Sequence, residues 1–490
     1  MTSVIPGRVR VAALVMTASI LAGLAVPRYA SGVDGFSVAY VCLFVAFCVL
    51  ARGAGRAPVE GVFLAPWYAL ALAARASLTS YQTPWSARTS WLVLVGPIIL
   101  WLGYKLVTRS TSDPAPNAKP EIDGIITASR AIVVSVILCM IGIVGLIAKA
   151  RILGTLPALS PHIDDLRSAG SHIPALVTFA TNCSSLAFWV AATALLEARL
   201  SAAERNMLTG IAAASLISTA AHGSRNTVAF TIVVLIFFMA LRGRIRLTGR
   251  AAILTAVIIV VATTVVFVFR TSQDTENTFG RYFYSRGVAQ TTLGRAAMGE
   301  YISVAYPFET FNREVEYFRD PARRGHGLYT GYGYSALTGG LLHGRNLIDV
   351  SRELSKPFFF NVGTYLGTLF ADFGVAGALV GSALFGGVLG ALRRVWRTRP
   401  SLLSTWILAY ALYIVAFFSY ENLLAFYPNE PWNIGVLALA LLAIRARRLG
   451  PHSAMSPLRN VSPARGGQDR TRRGVAGVPS KATPYRAGEQ

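Results

Sequence analysis

The turn Ala220-Ala221-His222-Gly223-Ser224-Arg225-Asn226-Thr227 joins two apolar runs with almost no loop between them. Arg225 is therefore held near a membrane interface with little freedom. A guanidinium there is costly unless an anion or a water-filled cavity meets it. Its planar fork suits a phosphate bidentately; the alternative is an interfacial Arg that snorkels to headgroups. A second stretch, LPALSPHIDDLR at 156–167, starts extended because of its two prolines and then clusters Asp164, Asp165 and Arg167. On spacing alone it reads as a solvated Asp/Arg pair worth little. Asp372 lies in the Gly-rich apolar segment 363–377. An ionisable group there is a functional candidate by default, although the glycines alone would serve close helix contact. His326 sits between two glycines and Glu300 precedes Tyr301. Either has the chemistry of a general base, and either equally fits a structural or solvated role.

These residues need elements to position them, and the composition says which kind. The chain has 490 residues, 53% hydrophobic and 14% charged, with a mean hydropathy of +0.50. That is a polytopic membrane protein. Apolar runs of membrane length predict about twelve transmembrane helices near 9–27, 35–51, 60–78, 89–107, 128–149, 173–196, 207–223, 226–241, 251–269, 362–392, 401–419 and 433–447. The third is weakened by Pro66 and Arg75. The run Val11–Pro27 follows Arg8 and Arg10 like a signal peptide, but its length and the spans after it predict an uncleaved helix.

The net charge of +23 would suit a nucleic-acid binder, but the excess sits in alternate loops. By the positive-inside rule those loops face the cytoplasm. They hold Arg52/Arg56, Lys105/Arg109/Lys119, Arg199/Arg205, the 242–250 cluster and the 393–399 cluster. Both termini are then cytoplasmic, no nucleic-acid partner is implied, and the loops at 150–172, 222–225, 270–360 and 420–432 face outward. Residues 1–449 form the transmembrane domain. The stretch 450–490 is a basic tail rich in Gly, Ser and Pro, read as disordered and cytoplasmic. The four cysteines fall inside apolar runs and are expected to be free thiols. Nothing in the spacing of Cys and His supports a structural metal, and no cofactor is called for.

The segment 270–360 carries no spanning stretch, so it must lie outside the hydrocarbon. It interleaves Arg281, Arg286, Arg313, Arg323 and Arg324 with Tyr282, Tyr284, Tyr301 and Tyr329, a mixture that suits sugars and phosphates as well as a membrane interface. Phe308, Phe311, Val315 and Phe318 define one apolar helix face, with Pro307 expected at the start of that helix. The glycines at 325, 327, 331 and 333 mark a turn-rich region.

Several stretches, in order, resemble the O-antigen polymerase family, the Wzy-type oligosaccharide repeat-unit polymerases. They are LPALSPHIDDLR at 156–167, HGSRNTVAF at 222–230, FNVGTYLGTLFADFG at 360–374 after a long outward loop, and the GVAG stretch that follows. The resemblance implies an all-α membrane enzyme at the outer face of the cytoplasmic membrane. Such an enzyme takes a glycan repeat unit from a polyprenyl diphosphate carrier and joins it to another lipid-linked glycan. It would work beside a flippase and a chain-length regulator. In that picture Arg225 and Arg167 are family-matched residues that hold the diphosphate, Arg281 or Arg286 completes the clamp, and Asp372 matches the acidic position. The expected chemistry is a metal-independent inverting displacement. Ligation of a finished glycan, and transport of a lipid-linked oligosaccharide, are the alternatives.

Overall fold

The computed structural model describes residues 35–51, 57–79, 82–108, 126–159, 173–222, 225–245, 292–335, 345–354, 363–420 and 429–445. The expected spans at 9–27 and 251–269 lie outside them, as does the basic tail. The described chain is all-helical. Its helices are α1 (Gly35–Ala51), α2 (Ala65–Arg75, entered by a π-turn at Glu60–Leu64), α3 (Ala87–Thr108) and α4 (Ala128–Leu153). Next come α5 (Ala175–Glu197), α6 (Ala202–Ala221), α7 (Arg225–Leu241), α8 (Thr292–Tyr317) and α9 (Leu347–Leu354). The last are α10 (Tyr365–Thr398), α11 (Leu402–Ala416) and α12 (Asn429–Ile444).

Five helical stretches, including α3, α4 and α5, are long and apolar enough to cross a membrane. Val380, Leu384 and Val388 of α10 form an outward stripe at i, i+4, i+8, each about 60% exposed. Such a stripe is costly in water and favourable in lipid. Small residues let the helices meet backbone to backbone. Gly103 and Gly386 bring α3 and α10 into direct contact, at Ala383 and at Leu100 respectively, and a Cβ on Gly390 would lie 2.8 Å from the Tyr104 carbonyl oxygen. None of the four cysteines forms a disulfide.

One end of the bundle collects cations. Lys105 pairs with Glu60 at 2.6 Å. Arg242 grips Glu197 bidentately at 3.0 and 2.7 Å. Arg393 donates to the Ala57 carbonyl at 3.5 Å.

Two expectations need correction. The first concerns the span at 362–392, which is not one straight helix. Gly374 has φ 67 and ψ −151, outside the helical region. In a straight helix Tyr365 and Ser382 would stand about 25 Å apart, yet their hydroxyls are 2.9 Å apart. The Tyr365 and Phe385 rings are likewise only 6.3 Å apart. Residues 365–373 therefore double back on 375–385, and 375–398 is the long arm, a segment of about 36 Å. Hydropathy cannot register the turn, because both arms are apolar.

The second correction concerns Pro307, which lies inside α8 rather than at its start. The helix runs through the proline at the cost of a backbone bond, because its apolar face is fixed on both sides. Phe308 stacks on Trp85 at 5.8 Å and meets Trp67 edge-on at 5.1 Å. Phe308, Phe311, Val315 and Phe318 are all fully buried.

Candidate functional site

The end of the bundle opposite the cation cluster is polar, and it is organised by the break in α10. Once Gly374 leaves the helical region, the carbonyls of Ala371 and Asp372 lose their normal intrahelical donors. The loop after α8 supplies replacements. Gly325 N–H donates to Ala371 O at 3.0 Å and His326 N–H donates to Asp372 O at 3.3 Å. The Asp372 side chain, fully buried, completes the clamp. Its Oδ1 accepts from Tyr329 N–H at 3.1 Å and its Oδ2 from Thr330 N–H at 2.7 Å. Arg324 lies over the turn: a Cβ on Gly374 would sit 2.9 Å from its guanidinium carbon. Arg324 also donates to the Phe318 carbonyl at 3.3 Å. His326 is exposed in this loop and adopts φ +52, with Gly327 at φ +102.

A second constellation runs along α8. The sequence showed its apolar face; the structure buries its polar side chains as well. Glu309, Thr310 and Glu314 are 0% exposed and Asn312 is 3%. Glu309 Oε1 accepts from the Thr83 hydroxyl at 2.8 Å, the Thr83 N–H at 3.1 Å and Arg313 Nε at 2.9 Å. Asn312 Oδ1 accepts from Ser86 N–H at 3.1 Å and from the Thr89 hydroxyl at 2.8 Å. Tyr301 Oη donates to Gln82 at 2.8 Å. α8 is thus stitched to the segment that links α2 to α3 and to the first turn of α3.

Glu314 points the other way, into a notch made by Gly363 and Gly367. A Cβ on Gly363 would be 2.8 Å from its carboxyl oxygens, and one on Gly367 would collide with Oε2. Burial pushes Glu314 up to about 8, against a smaller opposing effect of Ser351. Oε1 lies 2.7 Å from Ser351 Oγ, and that hydroxyl is also 2.9 Å from the Leu347 carbonyl. A protonated Glu314 donating to Ser351 lets the serine proton serve Leu347, so the neutral acid satisfies both contacts. Oε2 has no hydrogen-bond partner among the described residues.

The structure brings Asp372 and His326, distant in sequence, together through a backbone hydrogen bond. Arg225 opens α7 three residues after His222 closes α6, and its side chain lies outside the described residues, as does that of Glu300 in α8. Arg167, Arg281 and Arg286 are outside them altogether. Glu309, Asn312 and Glu314 escaped the sequence reading, and Arg324 and His222 entered it only as members of a loop and a turn. The i, i+4 spacing of Glu309 and Arg313 is the one local signal that could have found any of them. Nothing local reveals that Glu314 faces Gly363 and Gly367, because that contact joins distant segments.

Asp372 holds a loop, Glu314 offers a buried acid near neutrality, and the turn at 222–225 sets an imidazole beside a guanidinium in the chain. These separate groups include hydrogen-bond acceptors and proton carriers of the kind used for transfer to a hydroxyl. Comparison with protein-family models, with curated proteins and with solved structures gives no match, so residue roles rest on this chain's own geometry and motifs.

Proposed function

We propose that this chain is an integral-membrane glycosyltransferase that polymerises polyprenyl-diphosphate-linked oligosaccharide repeat units at the outer face of the cytoplasmic membrane. The observation that carries the reading is the Asp372 clamp. The acidic position of the DFG-like motif ties the 324–330 loop to the broken end of α10, at the end of the bundle away from Lys105, Arg242 and Arg393. The positive-inside rule makes the cation-rich end cytoplasmic and the clamped end outward, with twelve spans and both termini inside. Arg225, Arg167 and a loop Arg such as Arg281 or Arg286 hold the donor's diphosphate. The partners are a lipid-linked glycan donor and acceptor in the membrane, with a flippase and a chain-length regulator nearby.

A second reading, transport of a lipid-linked oligosaccharide, is favoured by one specific observation. Broken helices with buried half-helix ends are common at transporter sites, and α10 is such a helix, with its N-cap Thr364 1% exposed. Reconstitution separates the two. Polymerisation requires that purified protein in liposomes turn single lipid-linked repeats into a ladder. Movement of the lipid-linked unit between leaflets, without a ladder, would favour transport. A chain that instead passes preformed polymer to a different acceptor would be a ligase.

A further inference from the structure

The cation-rich end of the bundle carries a groove that no part of the proposed reaction uses. α4 and α5 run antiparallel, since Gly142 meets Ser184 and Gly145 meets Thr181. Continuing that pairing brings Ser129 level with Glu197, the carboxylate that Arg242 grips. The first turn of α4 therefore lies at the end where positive charge collects. It is fastened there to the end of α12. Ile126 and Arg445 form an antiparallel bridge, and Thr127 N–H donates to the Ile444 carbonyl at 3.1 Å. Arg130 Nη1 donates to the Arg445 carbonyl at 2.9 Å, and Arg130 stays exposed while it does so.

Beside that bond the two helices leave a groove of about 230 Å³, lined by Ser129, Arg130, Val133, Val134 and Ala443. It has room for a phosphate-sized group, not merely for one water. Its walls run on into Val133, Ile137 and Val144 of α4 and Leu439 and Leu442 of α12, all more than half exposed. Such stripes are costly in water and favourable in lipid. The groove thus pairs a guanidinium and a hydroxyl at its mouth with hydrocarbon-facing walls further along. The guanidinium fork has N–H donors beyond Nη1 and suits a phosphate. A soluble anion would meet Arg130 but gain nothing from the walls. A zwitterionic lipid brings its own ammonium to the phosphate. An anionic phospholipid satisfies both parts of the groove.

We propose that this groove binds one anionic phospholipid, from the leaflet at the cation-rich end, with its phosphate on Arg130 and Ser129 and an acyl chain along Val133. The lipid bridges the start of α4 and the end of α12, and so ties the last described helix to the bundle. The site requires that the chain lie in a membrane and is independent of the glycosyl-transfer reading.

The test uses the full chain in mild detergent with equal amounts of phosphatidylglycerol and phosphatidylcholine of the same acyl chains, and counts retained lipid by native mass spectrometry. We expect wild-type protein to keep one phosphatidylglycerol in preference to phosphatidylcholine. Arg130→Gln should lower that retention about fivefold, the effect of one cation beside an anionic headgroup, and Arg130→Lys should keep most of it. Val133→Trp leaves the Arg130 bond to Arg445 in place but fills the groove, and should lower retention as well. Arg205→Gln removes an exposed cation at the same end and should change nothing, and inorganic phosphate should not displace the lipid. Equal retention of the two lipids would overturn the proposal, as would an Arg130→Gln protein that behaves like wild type. A guanidinium already paired with Glu121 or Asp123, the acids that precede α4 in the sequence, would give those results. Equal losses in Arg205→Gln and Arg130→Gln would show general charge attraction, and displacement by inorganic phosphate would show a site for any phosphate; either overturns the lipid assignment. If Arg130→Gln fails to fold, Val133→Trp decides, and undiminished phosphatidylglycerol retention in it overturns the site.

Discussion

Asp372 and Glu314 are both buried carboxyls, yet their surroundings ask opposite things of them. Asp372 meets two backbone N–H donors and acts as an acceptor-only clamp. Asp372→Asn keeps one acceptor and turns an amide N–H₂ towards the other donor. It should cost about 1–3 kcal/mol, read as a lower melting temperature in detergent. An unchanged melting temperature would mean that the clamp contributes nothing. Glu314 has little to compensate the loss of water, so its folded value of about 8 lies above the ordinary 4.5. A group raised on folding gives its stability in full below the unfolded value and loses it as pH rises through the folded one. Wild-type protein should therefore lose stability between about pH 5 and pH 9, by an amount of order a few kcal/mol. Glu314→Gln, always neutral, should flatten that slope, and thermal unfolding across the pH range checks it. Neither role could be read from residue type. Asp372 stood out because an Asp in an apolar run is conspicuous, while Glu314 was hidden among the charges of a polar stretch.

At the scale of elements, the fold-back of α10 is the feature on which the candidate site depends. Gly374 holds a backbone conformation that side chains with a Cβ adopt only under strain, and the space for a Cβ is taken by Arg324. Gly374→Ala should cost about 1–3 kcal/mol. It should also loosen the 324–331 loop, seen as faster proteolysis there than in wild type; equal cleavage rates would contradict the account. The expected helices and the observed ones agree over most of the described chain, because long apolar runs leave the backbone no other way to satisfy itself in lipid. The misses have physical reasons. Hydropathy sees neither a turn between two apolar arms nor the burial of α8's polar residues by partners far away in sequence. Tyr301, Glu309 and Asn312 are matched by Gln82, Thr83 and Ser86, more than 200 residues earlier. For the same reason, deleting 275–355 would strip the bundle of Phe308 and Phe311 and would not report on function alone.

For the whole molecule, the proposed topology rests on the separation of charge between the two ends. A cysteine introduced by Ser272→Cys should react with a membrane-impermeant maleimide in intact cells, and one introduced by Ser453→Cys should react only after lysis. The reverse pattern would invert the topology and remove the outward loop from the proposed site. The candidate site was legible only in part. The motif at 360–374 drew attention to Asp372, but its partners in the 324–330 loop are joined to it by contacts that no single segment encodes. The measurement closest to the central claim is reconstitution of purified protein with single polyprenyl-diphosphate-linked repeat units, followed by separation of the products by length. The account predicts a ladder of polymer from wild-type protein and single repeats from an inserted, folded Arg225→Ala variant. A wild-type protein that leaves the repeats single, or an Arg225→Ala variant that makes the same ladder at the same yield, would contradict it.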